Sequence, residues 1–124
     1  MPHRILIIDD EEDIRTVASL SLETVAGWEV AVAGSGAQGI ASAESFQPEA
    51  ILLDVMMPGM DGPAALRAIR NNPRTAAIPV LMLTAKVQSS ELQRMVELGA
   101  KAVLEKPFDP LTLAAQIAGI LGWS

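Results

Sequence analysis

Cysteine and tyrosine are both absent from this 124-residue sequence, and long apolar runs are absent as well. Without cysteine, the chain can form neither a disulfide framework nor a thiolate metal site. No apolar run approaches the roughly 20 residues that a membrane-spanning helix needs. The apolar run at the start of the chain is also too short for a signal peptide. We therefore expect a cytoplasmic protein with no membrane partner.

Basic residues are scarce, because 9 Lys and Arg stand against 15 Asp and Glu and the formal net charge is −6. A protein that binds the phosphate backbone of nucleic acid needs clustered positive charge. The sequence contains no basic run, and aromatic residues make up only 3% of it. Direct nucleic-acid contact is therefore not expected.

Apolar residues make up half of the sequence, enough for the core of one domain of this length. The predicted strands are 4–8, 29–33, 50–54, 80–83 and 102–104, and the predicted helices lie around 14–25 and at 36–44, 63–70, 89–98 and 109–121. Gly27 is predicted to end the first helix, Pro63 to lie in the first turn of the third, and Asp109 to cap the last.

The alternation of strands and helices predicts an α/β fold in which a five-stranded parallel sheet is covered by helices on both faces. Right-handed crossovers leave few topologies, and we favour the flavodoxin-like strand order 2-1-3-4-5. The order 3-2-1-4-5 remains open on periodicity alone. With no linker or repeat in the sequence, residues 1–124 are expected to form a single domain with no output domain.

Polar residues follow four of the predicted strands. They are Asp9 and Asp10 after the first, Asp54 at the end of the third, Thr84 after the fourth, and Lys106 after the fifth. Ligands of open α/β sheets bind beyond the carboxyl ends of the strands, where the strand order reverses. A simpler interpretation is that strands end in polar residues because they end at water. Asp54 argues against it, because a lone charge that closes an apolar run is costly.

Carboxylates without histidine or cysteine favour Mg²⁺ over zinc as the bound metal. Mg²⁺ keeps several waters and readily accepts phosphate oxygens as ligands. Lys106 can pair with such a phosphate as a point charge, and Thr84 can donate a hydrogen bond to it. The combination predicts phosphoryl transfer. Glu11 is interpreted as part of a solvated helix start that also lies within reach of the metal's outer coordination sphere.

These residues resemble a known family, the receiver domain of bacterial two-component response regulators, over essentially the whole chain. The resemblance rests on Asp9-Asp10, on Asp54-Val55-Met56-Met57-Pro58-Gly59-Met60-Asp61-Gly62, on Thr84-Ala85, and on Lys106-Pro107-Phe108. Each piece alone is a weak signal. Four pieces in order, each at the end of its own strand, are a specific one.

The resemblance implies a phosphorylation switch of a His-Asp phosphorelay rather than an enzyme, although such a domain assists its own phosphorylation and dephosphorylation. The implied roles are phosphoacceptor for Asp54, Mg²⁺ ligands for Asp9, Asp10, Asp54 and the backbone carbonyl of Met56, and phosphoryl contacts for Lys106 and Thr84. The implied donors are sensor histidine kinases or phosphotransfer proteins that carry phosphohistidine. A cis Lys106–Pro107 bond is implied as well.

The sequence departs from the family at Val103, where receivers commonly carry Tyr or Phe. Valine is short and stiff at χ1, so we expect the aromatic part of the switch to be absent. We expect the signal to leave through the loop after Thr84, including Lys86, and through the start of the fourth helix. The face formed by the fourth helix, fifth strand and fifth helix is the expected surface for a partner or for self-association, because the last helix is apolar nearly all round.

Two other functions compete with this one. A phosphatase of the haloacid dehalogenase type also combines an Asp nucleophile with Mg²⁺, but it needs Asp-x-Asp. Met56 stands two residues after Asp54, and the chain has no room for a cap domain. An interaction module that no longer uses phosphate would lack one of the acids, the threonine or the lysine, and none is missing.

Overall fold

The computed structural model describes residues 2–85 and 88–123. Its elements are β1 (Arg4–Ile8), α1 (Glu12–Ala26), β2 (Glu29–Ala33), α2 (Gly36–Phe46), β3 (Ala50–Asp54), α3 (Gly62–Asn71), β4 (Val80–Thr84), α4 (Ser89–Glu97), β5 (Ala102–Glu105) and α5 (Leu113–Leu121). The predicted strands and helices are confirmed, mostly with ends that differ by one or two residues. Within the described ranges no helix is long and apolar enough to cross a bilayer.

The five strands form one parallel sheet in the order β2-β1-β3-β4-β5. The favoured order 2-1-3-4-5 is therefore confirmed, and the alternative 3-2-1-4-5 is excluded. Strand β1 lies between β2 and β3, and Ile8 is level with Ala33 on one side and with Leu53 on the other. The residues that follow β1 consequently emerge beside the end of β3.

Both faces of the sheet are buried, which explains why its central strands are apolar without alternation. Leu6 and Ile8 point into a core cluster shared with α2, α3 and α4. Ile5 and Ile7 point to the opposite face, into a cluster shared with α1 and α5. Because helices cover both faces of the sheet, only the ends of the strands are accessible to a ligand.

The start of the last helix differs from its prediction. Helix α5 begins at Leu113, not near Asp109, and Thr112 is its N-cap residue without a side-chain capping bond. The Asp109 carboxylate instead accepts a hydrogen bond from the Leu111 N–H at 2.9 Å. Asp109 therefore closes a turn over residues 110–112, and the predicted N-cap is wrong because its side chain serves this earlier turn.

An aromatic cluster lies at the amino-terminal ends of the strands. His3 stacks on Trp123 with ring centroids 4.0 Å apart, and Trp28 meets Trp123 edge-on at 5.1 Å. His3 also contacts Glu49 through Nδ1 at 2.9 Å. The cluster packs the two ends of the chain together, at the opposite edge of the sheet from the acidic residues.

Candidate functional site

The carboxyl ends of β1, β3, β4 and β5 bring the predicted site residues together. Asp54 is level with Leu83 of β4, and Thr84 is level with Glu105, the residue before Lys106. Carboxylate oxygens of Asp9, Asp10, Glu11 and Asp54 lie within 4.8 Å of one another. Three of these acids lie in the loop after β1 and Asp54 ends β3. They meet because β1 and β3 are neighbours in the sheet.

Asp54 is almost fully enclosed, with 3% of its surface exposed. Its Oδ1 accepts hydrogen bonds from Lys106 Nζ at 3.1 Å and from the Met56 N–H at 3.4 Å. Its Oδ2 is buried and receives no hydrogen bond from the part of the chain that the structure describes. The pKa of Asp54 is raised to about 6. Burial is the main cause and the charge of Asp9 adds to it, whereas the Lys106 hydrogen bond opposes the shift.

Asp9 is the second buried carboxylate, with 1% of its surface exposed. Its Oδ1 accepts from the Glu11 N–H at 2.9 Å. Its Oδ2 lies 3.0 Å from Lys106 Nζ, but residues 2–85 and 88–123 provide no aligned hydrogen bond to this atom. Asp54 Oδ2 thus has no bonded donor among the described residues, whereas Asp9 Oδ2 faces the Lys106 ammonium without an aligned hydrogen bond.

Lys106 joins the carboxylates from the far side of the site. Its Nζ lies 3.0 Å from Asp9 Oδ2, 3.1 Å from Asp54 Oδ1 and 3.5 Å from Glu11 Oε1. Burial by itself lowers the pKa of Lys106, but attraction to Asp9 and Asp54 outweighs it and the net pKa is raised. Lys106 is therefore an ammonium ion at neutral pH. Its bond to Pro107 is cis, as the resemblance implied.

The arrangement fits a hard divalent cation. Two buried carboxylate oxygens, Oδ2 of Asp9 and of Asp54, accept no aligned hydrogen bond in the described ranges. The exposed carboxylates of Asp10 and Glu11 stand beside them. The cluster offers only oxygen ligands, which Mg²⁺ prefers. Among the described residues, the Lys106 ammonium faces four carboxylates and cannot balance them by itself. Burial makes unbalanced charge expensive. The site could therefore hold a metal ion together with further oxygen ligands.

The loop after β3 depends on a close approach that the sequence alone did not show. The Gly62 N–H donates to the carbonyl of Val55 at 2.9 Å. A Cβ atom at Gly62 would lie 2.6 Å from the backbone oxygen of Asp54, too close for any side chain. The only hint in the sequence was Asp61-Gly62 before Pro63. Gly59 in the same loop has φ +79°, a conformation that glycine adopts readily.

Thr84 and Val103 occupy the side of the site that faces α4. Thr84 is buried at the end of β4, beside a cavity of about 410 Å³ that Met56 and Met95 also line. Val103 is partly buried and packs against the core cluster beneath α4. Lys86, assigned to the output loop by the sequence, lies outside the described residues.

The chain resembles response regulators both in sequence and in structure. The family model for the response regulator receiver domain matches residues 5–118. The chain is 42% identical over 118 residues to the "DNA-binding dual master transcriptional regulator RpaA" of Synechocystis sp., covering 95% of the chain and 48% of that protein. It is 37% identical over 121 residues to the alkaline phosphatase synthesis transcriptional regulatory protein PhoP of Bacillus subtilis, covering 98% and 49%.

Among solved structures, the chemotaxis protein CheY4 of Vibrio cholerae aligns with a TM-score of 0.91 and 32% identity. That alignment covers 97% of this chain and 99% of the solved one. The chain therefore spans about half the length of the curated relatives it matches, and almost the whole of this structural neighbour.

Proposed function

The chain belongs to the response regulator receiver domain family, and from this premise we propose that Asp54 is its phosphoacceptor. The observation that carries the proposal is the Asp54 carboxylate, which is buried beside Lys106 with Oδ2 not bonded to any donor in the described ranges. One oxygen of this carboxylate is the proposed nucleophile. The receiver family consists of signalling switches of two-component systems. The proposal identifies Asp54 as the residue that is phosphorylated in this one.

The step is a transfer from a phosphohistidine to Asp54. An Asp54 carboxylate oxygen forms a bond to phosphorus as the phosphorus–nitrogen bond breaks, and the imidazole nitrogen keeps the electron pair and takes a proton from water. The Lys106 ammonium pairs with the phosphoryl oxygens, and Thr84 donates a hydrogen bond to them. Hydrolysis by water returns the carboxylate and releases phosphate. In this proposal the domain assists both its phosphorylation and its dephosphorylation.

Asp9, Asp10, Asp54 and the backbone carbonyl of Met56 are the proposed ligands of Mg²⁺. When bound, the ion neutralises charge on the carboxylates and on the phosphoryl oxygens. Support for this comes from the cluster of four acids and from the two buried oxygens that accept no aligned hydrogen bond from the residues described. Glu11, 3.5 Å from Lys106 Nζ, belongs to the outer sphere of this site.

The proposed partners are a sensor histidine kinase or a phosphotransfer protein, and a downstream protein or a second copy on the face of α4, β5 and α5. Its outer surface includes Val96, which is 54% exposed, and Ala115 and Gly119, which are exposed on α5. The relatives named as DNA-binding are about twice as long as this chain. We assign no nucleic-acid contact to residues 1–124, whose net charge is −6.

Acetyl phosphate and Mg²⁺ test the proposal without a cognate kinase. Intact mass spectrometry should show one species heavier by about 80 Da in the wild-type protein, the mass that a phosphoryl group adds. Asp54→Asn should show none. Glu105→Gln, an exposed change beside the site, serves as the control and should be labelled like wild type. Equal labelling of Asp54→Asn would refute the assignment of Asp54, and an unlabelled wild type would favour the phosphate-independent module.

A further inference from the structure

The Arg15 side chain extends from α1 to the peptide between Asp9 and Asp10, the first two acids of the site. Its Nη1 donates a hydrogen bond to the backbone carbonyl of Asp9 at 2.8 Å. That carbonyl belongs to the peptide that joins Asp9 to Asp10. The Asp9 N–H is bonded in turn to the Ala33 carbonyl at 3.1 Å. Arg15 therefore holds the peptide whose orientation decides where the Asp10 carboxylate points relative to that of Asp9.

A second observation comes from the loop after β2. A Cβ atom at Gly34 would lie 3.2 Å from Arg15 Nη1 and 3.6 Å from its Cζ. Gly34 is not among the glycines with a positive φ, so its backbone conformation is open to alanine. Because Gly34 has no side chain, it leaves space beside it that the Arg15 guanidinium occupies. The loop after β2 thus accommodates the contact between Arg15 and Asp9.

We propose that Arg15 is a positioning residue of the metal site. It orients the Asp9–Asp10 peptide so that both carboxylates meet one cation, and it does not touch the cation or the phosphoryl group itself. A hydrogen bond from a charged donor is roughly twice as strong as a neutral one. Groups that orient the ligands of a metal typically change its affinity about 10- to 100-fold. The inference rests on the proposed function, because it assumes that Asp9 and Asp10 are Mg²⁺ ligands.

The first test separates the hydrogen bond from the positive charge. Arg15→Met keeps an unbranched apolar stem and removes the donor and the charge. Arg67→Met removes the same charge from an exposed position on α3. Mg²⁺ affinity is measured from the amide chemical shifts of Asp10 and Glu11. We expect the Kd of Arg15→Met to rise about tenfold, and that of Arg67→Met to stay within about twofold of wild type. Arg15→Lys keeps a donor and should recover part of the loss.

The second test uses the space at Gly34. Gly34→Ala should push the guanidinium by a few tenths of an ångström and weaken Mg²⁺ binding when Arg15 is present. In the Arg15→Met background the same change should have no further effect, because the two residues act through one contact. Urea unfolding without Mg²⁺ should show that each variant is folded before its affinity is compared.

The outcomes distinguish the two levels of the proposal. If the wild type binds Mg²⁺ and is labelled by acetyl phosphate while Arg15→Met binds Mg²⁺ equally well, the positioning role of Arg15 is refuted and the proposed function stands. Equal effects of Gly34→Ala in both backgrounds would also overturn it. A wild type that neither binds Mg²⁺ nor is labelled would refute the proposed function, and with it the role of Arg15.

Discussion

At the scale of single residues, the site is defined by a conflict between burial and charge at Asp54. The surroundings of the carboxylate exclude water, which raises its pKa to about 6, and Lys106 offsets only part of this effect. Asp9 adds like-charge repulsion from the neighbouring strand. Such a group is destabilising for the folded chain by itself. Buried groups with a raised pKa are candidates for a functional role, and the proposed function makes Asp54 the phosphoacceptor.

The pH dependence of stability should reveal this conflict. An acid whose folded pKa is raised stabilises the fold most below its unfolded pKa of about 4, and this contribution is lost as the pH rises through about 6. In the absence of Mg²⁺, Asp54→Asn should therefore raise the free energy of unfolding at pH 8 by about 1–2 kcal/mol. The gain should shrink toward pH 4.

Urea unfolding at pH 4.5 and pH 8 measures this difference. Glu97→Gln, which changes an exposed acid on α4, is the control and should show no comparable pH dependence. An Asp54→Asn variant with the same stability gain at both pH values would contradict a raised pKa at Asp54.

At the scale of elements, the two faces of the apolar helix α5 differ in burial. Leu113, Ala114 and Ile117 are buried against the sheet, whereas Ala115 and Gly119 face outward. The apolar composition that suggested an interface is therefore shared between a core face and an outer face of small residues. Any partner on this side must bind the outer face, because the other is already covered.

Paired substitutions on α5 test this assignment. Ala114, with 5% of its surface exposed, has no room for a carboxylate, so Ala114→Glu should lower the free energy of unfolding by several kcal/mol. Ala115→Glu should change it by less than about 0.5 kcal/mol and should weaken self-association at the α4–β5–α5 face. Urea unfolding and sedimentation velocity with beryllofluoride measure the two effects. Equal destabilisation by both changes would contradict the orientation of α5.

The fifth strand is expected to respond weakly to phosphorylation. Val103 packs against the core cluster beneath α4, and its short side chain has no alternative position comparable to that of an aromatic ring. A ligand shifts an equilibrium only by its differential contacts with the two states. Beryllofluoride with Mg²⁺ should therefore change amide chemical shifts strongly between Thr84 and Ser90 and modestly around Val103. A dominant change in β5 would show that the signal leaves through that strand.

At the scale of the whole molecule, the sheet acts as a scaffold that concentrates negative charge at one edge. Folding brings four carboxylates within 4.8 Å of one another. In the unfolded chain Asp9, Asp10 and Glu11 are adjacent, but Asp54 is far from them in sequence. The repulsion is tolerated because two core clusters bury the sheet on both faces. A cation that binds this edge binds only the folded state and should stabilise it.

Mg²⁺ should accordingly raise the free energy of unfolding, by about 2.7 kcal/mol when its free concentration is about 100 times Kd. Asp10→Ala should lose this gain and remain folded, because Asp10 is exposed. Its melting temperature without Mg²⁺ should equal or exceed that of wild type, since one repelling charge is removed. Thermal unfolding with and without Mg²⁺ measures both quantities. An undiminished Mg²⁺ response in Asp10→Ala would exclude it as a ligand.

The sequence by itself determined the class of the fold and most of the site. Continuous apolar strands such as 50–54 fit only a sheet buried on both faces, and alternation with helices makes that sheet parallel. Parallel strands place all their carboxyl ends at one edge, so Asp9, Asp54 and Lys106 could be assigned to one site from their positions in the chain.

Only the tertiary structure decided what depends on contacts between distant segments. It selected the strand order, because periodicity does not report which strands are neighbours. It showed that Ala114 faces the core, since this depends on how the helix docks. It also showed that the Asp109 side chain serves a turn before α5, and that Arg15 contacts both Asp9 and Gly34. Arg15 and Gly34 belong to different elements and meet through packing, which is a property of the folded chain alone.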